Sequence, residues 1–149
     1  MARGVALVAL IISLSVLPTP GISYAPSLVG SWTVEESNPP DPNRLFPQPW
    51  GRGFNVLRDS TDLAVQFNGD TVMVFQLDGR PVTTKDSRGG TAIETITKAT
   101  RTPTRILIET QTGQYSSETT LSLSSDKLVI ARGVGGRGSV SSQATYLRR

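Results

Sequence analysis

The chain has 149 residues, no cysteine and no histidine, with 15 Lys and Arg against 12 Asp and Glu. Those absences exclude Ser-His and Cys-His nucleophiles, histidine or thiolate metal sites and the usual general base near neutral pH. The charges are balanced and scattered despite a pI of 9.7, so they make a solvated surface and no nucleic-acid stripe.

At the N-terminus, Arg3 precedes an apolar run from Val5 to Leu17 that only Ser13 and Ser15 interrupt. Pro18, Pro20 and Gly21 then break any helix, and Ser23-Tyr24-Ala25 places small residues where a signal peptidase reads them. The pattern predicts an export signal over 1–25, cut after Gly21, Ser23 or Ala25, with Pro26 hindering the last of these. As a helix, the apolar run reaches roughly 20 Å, short of a hydrocarbon core about 30 Å thick. No membrane span is therefore expected once the signal is removed, and without cysteine no diacylglycerol anchor is expected either. The expected location is secreted or periplasmic. Residues 26–149 suffice for one domain, held by its core and ladders without disulfides.

From Gly30 onward, turn residues recur every eight to twelve positions, as in Asn68-Gly69-Asp70, Asp78-Gly79-Arg80, Arg88-Gly89-Gly90 and Ser124-Ser125-Asp126. The segments between them are β-branched and aromatic and show no helical period. Strands are predicted at 29–35, 53–58, 62–68, 71–77, 80–86, 91–98, 104–111, 117–124, 127–133 and 140–148, the 80–86 segment being the weakest. Leu63, Val65 and Phe67 alternate with Ala64, Gln66 and Asn68, the signature of a half-buried strand. Short loops pair sequential strands as antiparallel hairpins, so the expectation is an all-β, up-and-down meander barrel of about eight to nine strands. Val72 to Phe75, Ile106 to Ile108 and Leu128 to Ile130 are apolar on both faces. Loops folding over them are the expected cover; the N-terminal segment or another molecule is the alternative.

Between the first two strands, residues 38–50 carry five prolines, which forbids a ladder and favours a compact surface loop. Leu45, Phe46 and Trp50 are costly to leave in water and are expected to pin this loop to the body. Glu35 and Glu36 are adjacent on a strand, point to opposite faces and cannot converge as a catalytic pair. The glycine-rich 133–139 segment lacks a phosphate-loop pattern and reads as a hairpin loop. Phe54, Tyr115 and Tyr146 could join Trp50 as a stacking surface, but core packing is the expectation. No catalytic residue, metal ligand or cofactor is predicted.

The run Leu28-Val29-Gly30-Ser31-Trp32 at the head of a meander resembles the Gly-x-Trp first strand of lipocalin-like (calycin) barrels. The long loop after it looks like their large first loop. The chain also resembles small exported bacterial lipocalin-like proteins, sharing a Leu77-Asp78-Gly79 hairpin and a Leu121-to-Val129 hairpin. It departs from lipocalins in lacking the Thr-Asp-Tyr signature, a C-terminal helix and a disulfide pair. The resemblance implies a structural motif of Gly30, Trp32 and Arg148, with Arg148 packed across the indole. It implies a non-enzymatic binding protein carrying a small hydrophobic or amphipathic ligand in the barrel. The expected ligand position is the end away from Trp32, under the proline-rich loop, lined by Phe46, Trp50, Phe54, Val65 and Phe67. The alternative is a packed barrel acting as an interaction module, protease-inhibitor-like, with the proline-rich loop meeting a protein partner.

Overall fold

Period-two alternation builds strands wherever it occurs, and the computed structural model describes residues 27–38, 40, 48–135 and 140–149. The side chains of residues 88, 140 and 141 lie outside this description, as do the expected export signal, Phe46 with most of the proline-rich loop, and residues 136–139. The strands are β1 (Gly30–Asn38), β2 (Gly53–Asp59), β3 (Asp62–Phe67), β4 (Thr71–Gln76), β5 (Val82–Arg88), β6 (Thr91–Arg101), β7 (Arg105–Thr112), β8 (Tyr115–Ser124), β9 (Lys127–Val134) and β10 (Val140–Arg148). The described residues contain no helix.

The described residues form ten strands where eight to nine were expected, and the additional one is the weak fifth. Its sequence, Val-Thr-Thr-Lys-Asp-Ser-Arg, shows no apolar alternation because β5 is an edge strand exposed on both faces. It forms through its ladder with β6, from Val82 opposite Thr97 to Arg88 opposite Thr91. Gly89 and Gly90, both at positive φ, make the turn that sets this register.

All neighbours are antiparallel, in the order β4-β3-β2-β1-β10-β9-β8-β7-β6-β5. The meander curls round because β1 pairs with β10, from Trp32 opposite Arg148 to Asn38 opposite Gln143. On the other side β4 and β5 share no ladder. After β4 the chain crosses to the end of β6, where Asp78 bridges Thr100 and the Gly79 N–H donates to the Ala99 carbonyl (2.9 Å). β4 thus closes against β6 at that end, while β5 runs outboard and leaves a seam.

The end holding the start of β1 is the base; the opposite end, where β1 finishes at Asn38 and β10 begins, is the mouth. Inward side chains of both halves form one core, centred on Trp32, Leu63, Val65, Leu121, Leu128, Ile130 and Tyr146. Among the described residues, no loop covers the outer face of β4, where Val72 and Val74 are each 46% exposed. This corrects the expectation of loop cover there. Leu107 and Val129, the outward residues of the other two runs, are half-buried.

Candidate functional site

At the base, Trp32 is buried and its indole N–H donates to the Leu28 carbonyl (2.8 Å). Residues directly opposite in an antiparallel pair share a face, so the β1–β10 register puts Arg148 beside Trp32. The guanidinium carbon lies 4.8 Å from the ring centroid, and one Nη donates to the Ser27 carbonyl (2.8 Å). Such a cation–π contact contributes about 0.5–2 kcal/mol. Gly30 sits at φ +147°, a conformation side chains disfavour, while a Cβ there would make only ordinary contact with Arg148 at 3.5 Å. The backbone, more than the space, asks for glycine.

Above Trp32 the interior has two unlike walls. One is aromatic. Trp50 enters from the end of the proline-rich loop, stacks on Phe75 (centroids 6.0 Å, planes 12° apart) and meets Phe54 edge-on (5.1 Å, 81°). Phe54 in turn meets Tyr146 edge-on (5.0 Å, 62°). The Tyr146 hydroxyl donates to the Gly51 carbonyl (2.7 Å), tying β10 to the segment that presents Trp50. Burial pushes the Tyr146 phenol well above its ordinary pKa.

The facing wall bears hydroxyls. Extending the inward parity of Ala99, Ile108 and Leu121 toward the mouth brings Thr95 and Thr97 on β6, Thr110 and Thr112 on β7, and Ser117 and Thr119 on β8 to the inner face. Thr95 and Thr112 hydroxyls bond at 3.0 Å. On β9 the same parity, after Leu128 and Ile130, turns Arg132 inward, opposite the buried Thr119 and Ser142. A cation is thereby placed against the polar wall.

Burial changes along the barrel. Inward residues toward the base, such as Leu63, Leu121, Leu128 and Ile130, are fully buried. Inward residues toward the mouth and along the seam, namely Met73, Phe75, Ile93, Thr95, Thr97, Thr110, Thr112 and Ser117, are only half-buried. The interior is thus filled at the floor and least covered along the seam and the upper parts of β6 and β7.

Of the residues the sequence singled out, Trp50, Phe54, Val65 and Phe67 are all buried in the one core cluster. Phe46 lies outside the described residues. Tyr115 does not join the stack: it is 80% exposed at the β7–β8 turn, because the strand pair ends there. Phe75 and Arg132 were missed by the sequence reading. Parity would have found both, Phe75 from Leu63 across the hairpin and Arg132 from Leu128. Among the described residues no group of three Asp or Glu side chains is placed to hold a metal ion.

No protein-family model matches the chain, and no curated protein matches it. Solved structures do. The chain is similar to a secretory abundant heat soluble (SAHS) protein from Ramazzottius varieornatus, at 16% identity and a TM-score of 0.55 over 87% of this chain and 97% of that one. It is also similar to a point mutant of the fluorescent protein UnaG, at 15% identity and a TM-score of 0.54 over 82% of this chain and 96% of that one. The fold is a lipocalin-like (calycin) β-barrel.

Proposed function

We propose that this chain is an exported, non-enzymatic binding protein that holds a small amphipathic molecule in the mouth of its barrel. The observation carrying this reading is a burial gradient on β6, β7 and β8: inward Thr95, Thr97, Thr110, Thr112 and Ser117 toward the mouth are half-buried, whereas Ala99, Ile106, Ile108 and Leu121 toward the base are buried. Barrels of about this size either pack their interior or hold one small ligand, and a partly open upper interior favours the second. The unlike walls define the ligand class. An apolar body lies along Trp50, Phe54 and Phe75, and a polar or anionic head reaches Arg132, Thr119 and Ser142. Export rests on the sequence of residues 1–25. A non-catalytic role rests on the missing histidine and cysteine.

One observation favours the alternative, a packed interaction module: Trp50 already fills part of the aromatic wall. Native mass spectrometry of protein purified from its host, with Trp fluorescence titration against hexadecanoate, haem and retinol, separates the two. A co-purifying mass, or saturable quenching lost in Trp50→Phe, supports the carrier. Arg132→Gln is then expected to weaken hexadecanoate about ten-fold and retinol far less. A clean apo mass with no fluorescence change across the panel overturns the carrier reading.

A further inference from the structure

The base carries a second recess, separate from the mouth. Ser27 to Val29 lie across the base, fixed by three contacts. The Leu28 N–H donates to Asp59 (2.8 Å), the Leu28 carbonyl accepts from Trp32, and the Ser27 carbonyl accepts from Arg148. Beside this strap opens a cavity of about 240 Å³. Its floor is apolar, made by Leu28, Ile106, Leu121 and Leu123. Its rim is the β6–β7 turn, which brings Arg101 and Arg105, with Thr102 and Thr104 between them.

The charges at this rim are unequal. The Asp59 side chain is 1% exposed and pairs with Nη2 of Arg101, while its other oxygen takes the Leu28 N–H. The cavity lining therefore carries one carboxylate and two guanidinium groups. The Nε–H of Arg101 is buried and, among the described residues, meets no hydrogen-bond acceptor. A buried donor left unsatisfied is costly, and an anionic oxygen in the cavity would supply its acceptor. Arg105, exposed on the same rim, adds a second charge-assisted donor.

From this geometry we propose that the basal cavity binds a small carboxylate with a short apolar tail, head toward Arg101 and Arg105 and tail on Leu121 and Leu123. At interior packing density, 240 Å³ accommodates about ten non-hydrogen atoms, the size of octanoate. The site is at the opposite end from the proposed carrier site and does not depend on it.

The test is a titration of the full chain, as the protein is purified, with octanoate, octan-1-ol and acetate, followed by amide NMR. Octanoate is expected to shift Leu28, Thr102, Thr104, Arg105 and Leu123 saturably, with a dissociation constant below about 1 mM. Octan-1-ol should bind about ten-fold more weakly and acetate should leave these amides unmoved. Arg105→Gln, at an exposed position, should weaken octanoate about ten-fold without altering the fold. The proposal is overturned by shifts confined to the mouth strands, by no saturation, or by equal binding of octanoate and octan-1-ol. Mouth-only shifts would leave the carrier reading standing, and basal shifts without mouth binding would do the reverse.

Discussion

The bond between Tyr146 and the Gly51 carbonyl joins residues 95 positions apart and holds the segment that seats Trp50. Tyr146→Phe removes only the hydroxyl, leaving the ring against Phe54. Loss of a neutral hydrogen bond costs about 0.5–1.5 kcal/mol, and leaving the half-buried Gly51 carbonyl without its donor raises this toward about 2 kcal/mol. With an unfolding entropy of about 2.1 cal/mol/K per residue over about 120 residues, 1–2 kcal/mol corresponds to a fall in Tm of about 4–8 °C. The same variant should red-shift tryptophan emission, because Trp50 loses its anchor while Trp32 at the base keeps its own.

Proton linkage gives this prediction a second signature. Burial raises the folded pKa of Tyr146 above its ordinary value of 10.0, so above pH 10 the unfolded chain releases a proton the folded chain retains. Its contribution is fully present below pH 10 and is lost as pH rises beyond it, by about 1.4 kcal/mol per unit. Phenylalanine has no such proton. The advantage of wild type over Tyr146→Phe, measured by urea unfolding, should therefore be largest at pH 8 and nearly gone at about pH 11. Every other ionisable group is common to both proteins, so its contribution cancels in the difference. A variant within about 1 °C of wild type at pH 8, or a difference constant from pH 8 to 11, would refute the reasoning.

Arg101→Met leaves Asp59 buried without its countercharge and is expected to cost about 3–5 kcal/mol by urea unfolding, with Asp59→Asn in the same chain recovering part of it. A cost below about 1 kcal/mol for the single variant would mean the pair is inert. Gly30→Ala should cost about 1–3 kcal/mol through its φ of +147°, and the loss should persist when Arg148 is also shortened to Ala, since the contact there is ordinary. Val74→Lys, on the exposed outer face of the uncharged edge strand β4, should change stability by less than about 0.5 kcal/mol. It should also raise the concentration at which light scattering first detects association.

The all-β meander was legible in the sequence because it rests on two local signals, alternation and turn chemistry, and both survive wherever a strand buries one face. β5 was faint for the same reason: an edge strand exposed on both faces has no face to mark. Outer Val72 and Val74 misled the reading toward a cover, since alternation breaks identically whether the outer face is roofed or bare. Aromatic side chains could be named by type and by the cost of exposing them. Which of them meet is decided by pairs distant in sequence, such as Gly51 with Tyr146, and only the ladders state those pairs.

Arg132 shows where local reading stops. Its inward direction follows from counting two residues on from Ile130, yet its surroundings depend on register across two ladders. On the β8 side it faces Thr119 without interruption. On the β10 side the pairing shifts between Val140 and Ser142, so that Ser142 lies opposite Arg132. A one-residue slip there would turn an outward side chain to that place and strip the arginine of one of its two hydroxyl neighbours. The irregularity near the start of β10 therefore sets the chemistry of the polar wall. Any ligand whose charged head selects this mouth is in effect reading that register.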